Sequence, residues 1–90
     1  MGDVYYENAE VEQAIRQYRK VVQLDPSNFE AHVALAEVLE ERGRMGEAIR
    51  QWERTLKLRP EYAEGLLRLG TLYYKRRSYG RALESYAKLV

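Results

Sequence analysis

The run Ala14-Ile15-Arg16-Gln17 returns as Ala48-Ile49-Arg50-Gln51, thirty-four residues later. An aromatic residue follows each copy, Tyr18 and then Trp52, and the same offset carries Leu24 to Leu58 and Pro26 to Pro60. A weaker third copy, Ala82-Leu83-Glu84-Ser85-Tyr86, lies one period further along. A fixed period of this length marks a stack of like supersecondary units, each burying its apolar face against the next. Stacks of this kind present surface to other proteins more often than they enclose a reaction.

Within each period the apolar spacing is helical. Val11, Ala14, Ile15, Tyr18, Val21 and Val22 recur at three and four residues, and Ala48, Ile49, Trp52 and Leu56 do the same. Ala31, Leu35, Val38 and Leu39 form another such stripe, as do Leu66, Leu69, Leu72 and Tyr73, then Ala82, Leu83, Tyr86 and Leu89. No segment alternates long enough for a strand. The stops are short. Pro26 lacks a donor and biases Asp25 out of the helical region. Ser27 with Glu30 three residues on fits a capping box. Gly43 suits a left-handed helix end, and Pro60 closes the third helix. Arg76-Arg77-Ser78 ends the fourth without a glycine. Helices are expected near 8–24, 28–42, 45–58, 62–76 and 79–90, with 2–6 as the end of a preceding helix. Such short connections make successive helices antiparallel.

Against the family pattern W-x2-L-G-x2-Y, A-x3-F, P, the unit from 63 reads Leu66-x2-Leu69-Gly70-x2-Tyr73 and then Ala82-x3-Tyr86. The unit from 29 reads His32-x2-Leu35-Ala36-x2-Leu39, then Ala48-x3-Trp52, then Pro60. The opening unit reads Gly2-x2-Tyr5, Ala14-x3-Tyr18, Pro26. In this the chain resembles the tetratricopeptide repeat (TPR) family over its whole length. His32 and Leu66 stand where the family has tryptophan, and Ala36 where it has glycine. The resemblance implies an all-α fold, a right-handed superhelical α-solenoid of antiparallel helix pairs. It implies a single domain of a truncated repeat at 1–28, a repeat at 29–62 and an incomplete one at 63–90. Small residues would meet where the two helices of a pair cross: Gly2 with Ala14, Ala36 with Ala48, Gly70 with Ala82. Tyr5, Tyr18, Tyr73, Tyr79 and Tyr86 fall on core positions.

The same resemblance assigns a concave groove. Tyr6, with Asp3 and Glu7, would come from the first repeat, and Glu30, Val33, Glu37, Glu40 and Glu41 from the second. Glu64, Leu67, Arg68, Thr71, Tyr74 and Lys75 would come from the third. A groove acidic on one side suits a basic or amphipathic peptide, although glutamates are also the ordinary solvated face of a helix. Some family members clamp the C-terminal carboxylate of heat-shock chaperones with Lys, Asn and Arg. Here the matching positions hold Asp3, Ala34, Glu64 and Arg68, and only Arg68 fits. A chaperone C-terminal tail is therefore not the expected ligand.

Charge is unevenly placed. The net value is +1, yet residues 1–41 carry nine acids and three bases and residues 42–90 twelve bases and five acids. Such asymmetry bears on association rather than on fold. With Leu89-Val90 leaving an apolar end, it makes a homo-oligomer through open solenoid ends the alternative function. The expected function is a protein-interaction scaffold, and no enzyme. There is no phosphate loop, nucleophile elbow or H-E-x-x-H. Ser27, Ser78 and Ser85 have no histidine partner. The chain has no cysteine and one histidine, His32, so neither metal nor other cofactor is expected and His32 reads as packing. Lys75-Arg76-Arg77 is too short a basic run for nucleic acid and reads as a helix terminus that complements the dipole. No apolar run is long enough to span a membrane. A cytoplasmic location is expected, unless a longer parent protein supplies a signal or anchor.

Overall fold

The computed structural model describes the backbone of residues 2–89 and the side chains of residues 9–89. Five helices follow one another: α1 (Gly2–Leu24), α2 (Phe29–Glu41), α3 (Met45–Leu58), α4 (Ala63–Lys75) and α5 (Tyr79–Ala87). No strand occurs among the described residues. Each helix packs against its neighbour in the chain, as a solenoid of antiparallel pairs requires. The molecule measures 43 × 31 × 16 Å, with a radius of gyration of 13.9 Å. A compact chain of this length would have about 12 Å, so the helices form a slab rather than a ball. No described helix is long and apolar enough to cross a membrane.

One expected boundary is missing. α1 runs unbroken through the point where a separate helix over 2–6 was anticipated. Glu7-Asn8-Ala9-Glu10 contains neither proline nor glycine, so nothing interrupts the backbone ladder. Gly2 and Ala14 therefore lie on one helix and cannot form a crossing between two. The side chains of Gly2, Asp3, Tyr5, Tyr6 and Glu7 fall outside the described residues, so the contacts expected of them are not seen.

The two remaining crossings are present. Ala36, Ala48 and Trp52 are fully buried, with Leu35, Leu39, Ile15 and Ile49 around them. In the next pair, a Cβ on Gly70 would come within 2.7 Å of the Tyr86 ring, and Ala82 is buried. Only small residues let the helix axes approach this closely, and the large rings of Trp52 and Tyr86 fill the space beside them. Burying side chains of this kind stabilises the fold by roughly 1.5–3 kcal/mol each.

The turns confirm some cap expectations and correct one. The N-cap of α2 is Asn28, whose side chain accepts from the Ala31 N–H at 3.1 Å. Ser27 does not cap; its hydroxyl donates to Asp25 at 2.9 Å. Asn28 sits directly before the helix and reaches its free N–H groups. Gly43 has φ 74°, and its N–H bonds the Glu40 carbonyl while Arg44 N–H bonds that of Leu39. That closes α2 with the left-handed turn of a Schellman motif.

His32 does more than pack. It is buried, and its Nε2 lies 2.7 Å from the Pro26 carbonyl. Its Nδ1 lies 2.6 Å from the Gln51 side-chain nitrogen. A carbonyl can only accept, so Nε2 carries the proton and Nδ1 accepts from Gln51. The ring thus ties the α1–α2 turn to α3.

Candidate functional site

α2 and α4 are alternate helices of the stack, and the residues expected of the groove, Tyr6 of α1 apart, lie on them at three- and four-residue spacings. Helical periodicity puts such positions on one side of each helix. Arg68 joins the two sides. Its guanidinium reaches Glu40 of α2 at 3.0 Å and Glu64, one turn back on α4, at 3.6 Å. Glu40 also accepts from the indole N–H of Trp52 at 3.1 Å. The carboxylate thus holds a core tryptophan on one oxygen and a surface arginine on the other. The hydrogen bond to Glu40 is the main cause of a raised Arg68 pKa; burial opposes it, and the charges of Glu40, Glu64 and Glu37 add to it.

Tyr62, the N-cap of α4, extends the network. Its hydroxyl donates to Glu64 at 2.8 Å, and its ring meets Phe29 edge-on at 4.9 Å. Arg59 lies 4.0 Å over the Phe29 ring, within cation–π range. The Tyr62 pKa is pushed up, first by burial, then by the hydrogen bond to Glu64 and the charges of Glu64 and Glu37. Apolar periodicity does not reveal this cluster. A signal was there: Tyr62 stands 34 residues after Asn28, the N-cap of α2.

Among the described residues, Glu30, Glu37 and Glu41 of α2 make no ion pair. Glu30 and Glu41 are exposed, and Val33 and Glu37 are half-buried. On α4, Leu67 is 51% and Tyr74 60% exposed, and Lys75 is exposed. Thr71 turns away from this set. Its hydroxyl bonds the Leu67 carbonyl at 2.9 Å and the Tyr86 hydroxyl at 3.1 Å, and so belongs to the α4–α5 contact. Tyr6 lies outside the described side chains.

Tyr79 is not a core residue. It is 53% exposed and meets Tyr74 edge-on, with ring centroids 5.4 Å apart. As the first residue of α5 it packs against a tyrosine that is itself 60% exposed, so the pair lies at the surface. Tyr73 keeps its expected place, buried, with its hydroxyl donating to Glu53 at 2.8 Å. Among the described residues no group of three or more His, Asp or Glu side chains could hold a metal ion.

A model described as TPR repeat matches residues 2–43, and one described as tetratricopeptide repeat matches residues 29–72. No curated protein sequence matches the chain. Among solved structures, MamA MSR-1 is 28% identical, with a TM-score of 0.80 over 97% of this chain and 50% of its own. MamA AMB-1 is 26% identical, with a TM-score of 0.81 over 97% of this chain and 51% of its own. YrrB, a TPR protein with an unusual peptide-binding site, shares the fold at 23% identity, with a TM-score of 0.76 over 97% of this chain and 45% of its own. The chain thus spans about half the length of these structures. From its thirty-four-residue echo, its paired small residues at two crossings and these matches, the chain belongs to the tetratricopeptide repeat family.

Proposed function

We propose that this chain is a protein-interaction scaffold that binds a peptide or partner protein through the face shared by α2 and α4. On this proposal the chain divides into repeats at 29–62 and 63–90, preceded by a partial one at 1–28. The observation that carries it is the pairing of two surfaces. Leu67 and Tyr74, seven residues apart on α4, are more than half exposed. On α2, Glu30, Glu37 and Glu41 lack ion-pair partners among the described residues. A tyrosine flanked by apolar and acidic side chains suits an amphipathic basic helix, which would lay leucines on Leu67 and Tyr74 and lysines against α2. Arg68 is occupied by Glu40 and Glu64, which disfavours capture of a chain-terminal carboxylate. We assign no catalytic role to this open face, because it cannot exclude water from a reacting pair.

The test is titration of a labelled Lys/Leu amphipathic peptide into the chain and into its Tyr74→Ala and Glu37→Lys variants. Each variant should weaken binding by about tenfold. Equal affinity for all three proteins would remove the α2–α4 face as the site.

A second reading has its own support. Leu83 of α5 is 68% exposed, on a helix that packs chiefly against α4. A second copy seated there would make the chain a self-associating segment. Sedimentation velocity compared with a Leu83→Glu variant decides this, and identical monomeric profiles would reject it.

A further inference from the structure

We infer that the cleft between α3 and α5 binds carboxylate side chains of an acidic partner segment. The cleft has a volume of about 310 Å³, and Arg50, Arg76, Arg81, Ser78, Gly46 and Glu53 are among the residues that line it. It shares no residue with the α2–α4 face.

The inference comes from comparing the two helix junctions, one repeat apart. At the first, Glu12 of α1 accepts Arg44 at 3.2 Å and lies 3.6 Å from Arg42. Glu47 of α3 pairs with Arg44 at 2.6 Å and with Arg19 at 3.0 Å. Thirty-four residues on, Arg42 becomes Arg76 and Glu12 becomes Gly46. Arg44, the arginine that Glu12 hydrogen-bonds, becomes Ser78. Arg76, the counterpart of Arg42, loses the carboxylate that lay 3.6 Å away, and its guanidinium lies over the glycine, 3.1 Å from where a Cβ would stand. Arg19 and Glu47 become Glu53 and Arg81, a reversed pair that makes no ion pair. The Glu53 carboxylate instead accepts the Tyr73 hydroxyl, and Arg81 lies 5.9 Å from the Tyr73 ring. Arg50, Arg76 and Arg81 therefore share one cleft without an ion-pair partner among the described residues.

Guanidinium groups gathered in this way bind oxyanions through paired, charge-assisted hydrogen bonds. The Ser78 hydroxyl makes no capping bond to α5 and adds a neutral donor. The missing group is a glutamate carboxylate by descent of position, so an acidic side chain from outside is the ligand the cleft replaces it with. Free phosphate offers related oxygens, and the experiment separates the two.

A labelled, end-blocked Glu/Gly peptide is titrated at low ionic strength and followed by anisotropy. The unmodified chain should bind it, and Arg76→Gln combined with Arg81→Gln should weaken binding at least about tenfold. Gly46→Glu should also weaken it, by supplying the carboxylate internally, and should raise the melting temperature. Arg54→Gln removes the same charge outside the cleft and should leave affinity within about twofold. Tyr74→Ala, on the other face, should have no effect. Equal weakening by Arg54→Gln would reduce the effect to general charge. Inorganic phosphate binding as tightly as the peptide would make a free anion the ligand. Either result overturns the inference, as does a peptide that fails to bind.

Discussion

Arg77 occupies the left-handed turn position that Gly43 fills one repeat earlier, at φ 62° against 74°. The hydrogen bonds match as well. Arg77 N–H reaches the Tyr74 carbonyl and Ser78 N–H that of Tyr73, as Gly43 and Arg44 do at the end of α2. A side chain in this region costs roughly 1–2 kcal/mol, part of which glycine would return as lost chain freedom. Arg77→Gly should therefore stabilise the chain by about 0.5–1 kcal/mol. In a chain this size that is a rise of several degrees in Tm, and thermal unfolding by circular dichroism checks it.

The crossings set the limit on side-chain size. Ala48 is fully buried beside Ala36 and Trp52, so Ala48→Leu should overpack the core and destabilise it by about 1–3 kcal/mol. Gly70→Ala should act in the same direction, because its methyl would displace the Tyr86 ring. Urea unfolding with an unchanged midpoint for both variants would contradict the crossing geometry.

Glu40 and Arg68 should not behave as equal partners. Glu40→Ala leaves the Trp52 indole N–H without its acceptor and should cost about 1–3 kcal/mol. Arg68→Ala removes a partly exposed pair and should cost about 0–1 kcal/mol. Equilibrium unfolding of the single and double variants gives both values; a larger loss for Arg68→Ala would refute this ordering.

Acid should loosen the junction of α1 and α3. Burial pushes the Glu47 pKa up, but the hydrogen bond from Arg19 and the charges of Arg44 and Arg19 outweigh it, and the net shift is downward. A carboxylate with a lowered folded pKa contributes stability above its unfolded pKa of about 4.3, and that share is lost as pH falls through the folded value. Tm should thus fall more steeply below about pH 5 for the native chain than for Glu47→Gln. Parallel Tm profiles for the two would exclude this contribution.

Much of the fold was legible because it follows from spacing. The helix ends at Pro26, Gly43 and Pro60 and the crossings at Ala36–Ala48 and Gly70–Ala82 are local or periodic, and the chain states them directly. The continuity of α1 is not legible, because family register suggests a turn that no residue enforces. Tyr79 was placed in the core by the same register, which is silent on whether a further helix covers it. Side-chain partners were the least legible. Nothing in the spacing says that Glu40 reaches Trp52, that Arg68 is claimed by two glutamates, or that His32 bridges Pro26 and Gln51. These depend on reach and rotamer across helices, which periodicity does not encode.

Glu40 also divides the α2–α4 face into parts with different freedom to diverge. A change at Glu37 or Glu41 alters surface charge and leaves every hydrogen bond of the core in place. A change at Glu40 strips the acceptor from Trp52. Descendants of this chain that drift toward new partners would accumulate substitutions around Glu40 while it stays fixed, so an invariant acid amid variable neighbours would be a mark of architecture, not of recognition.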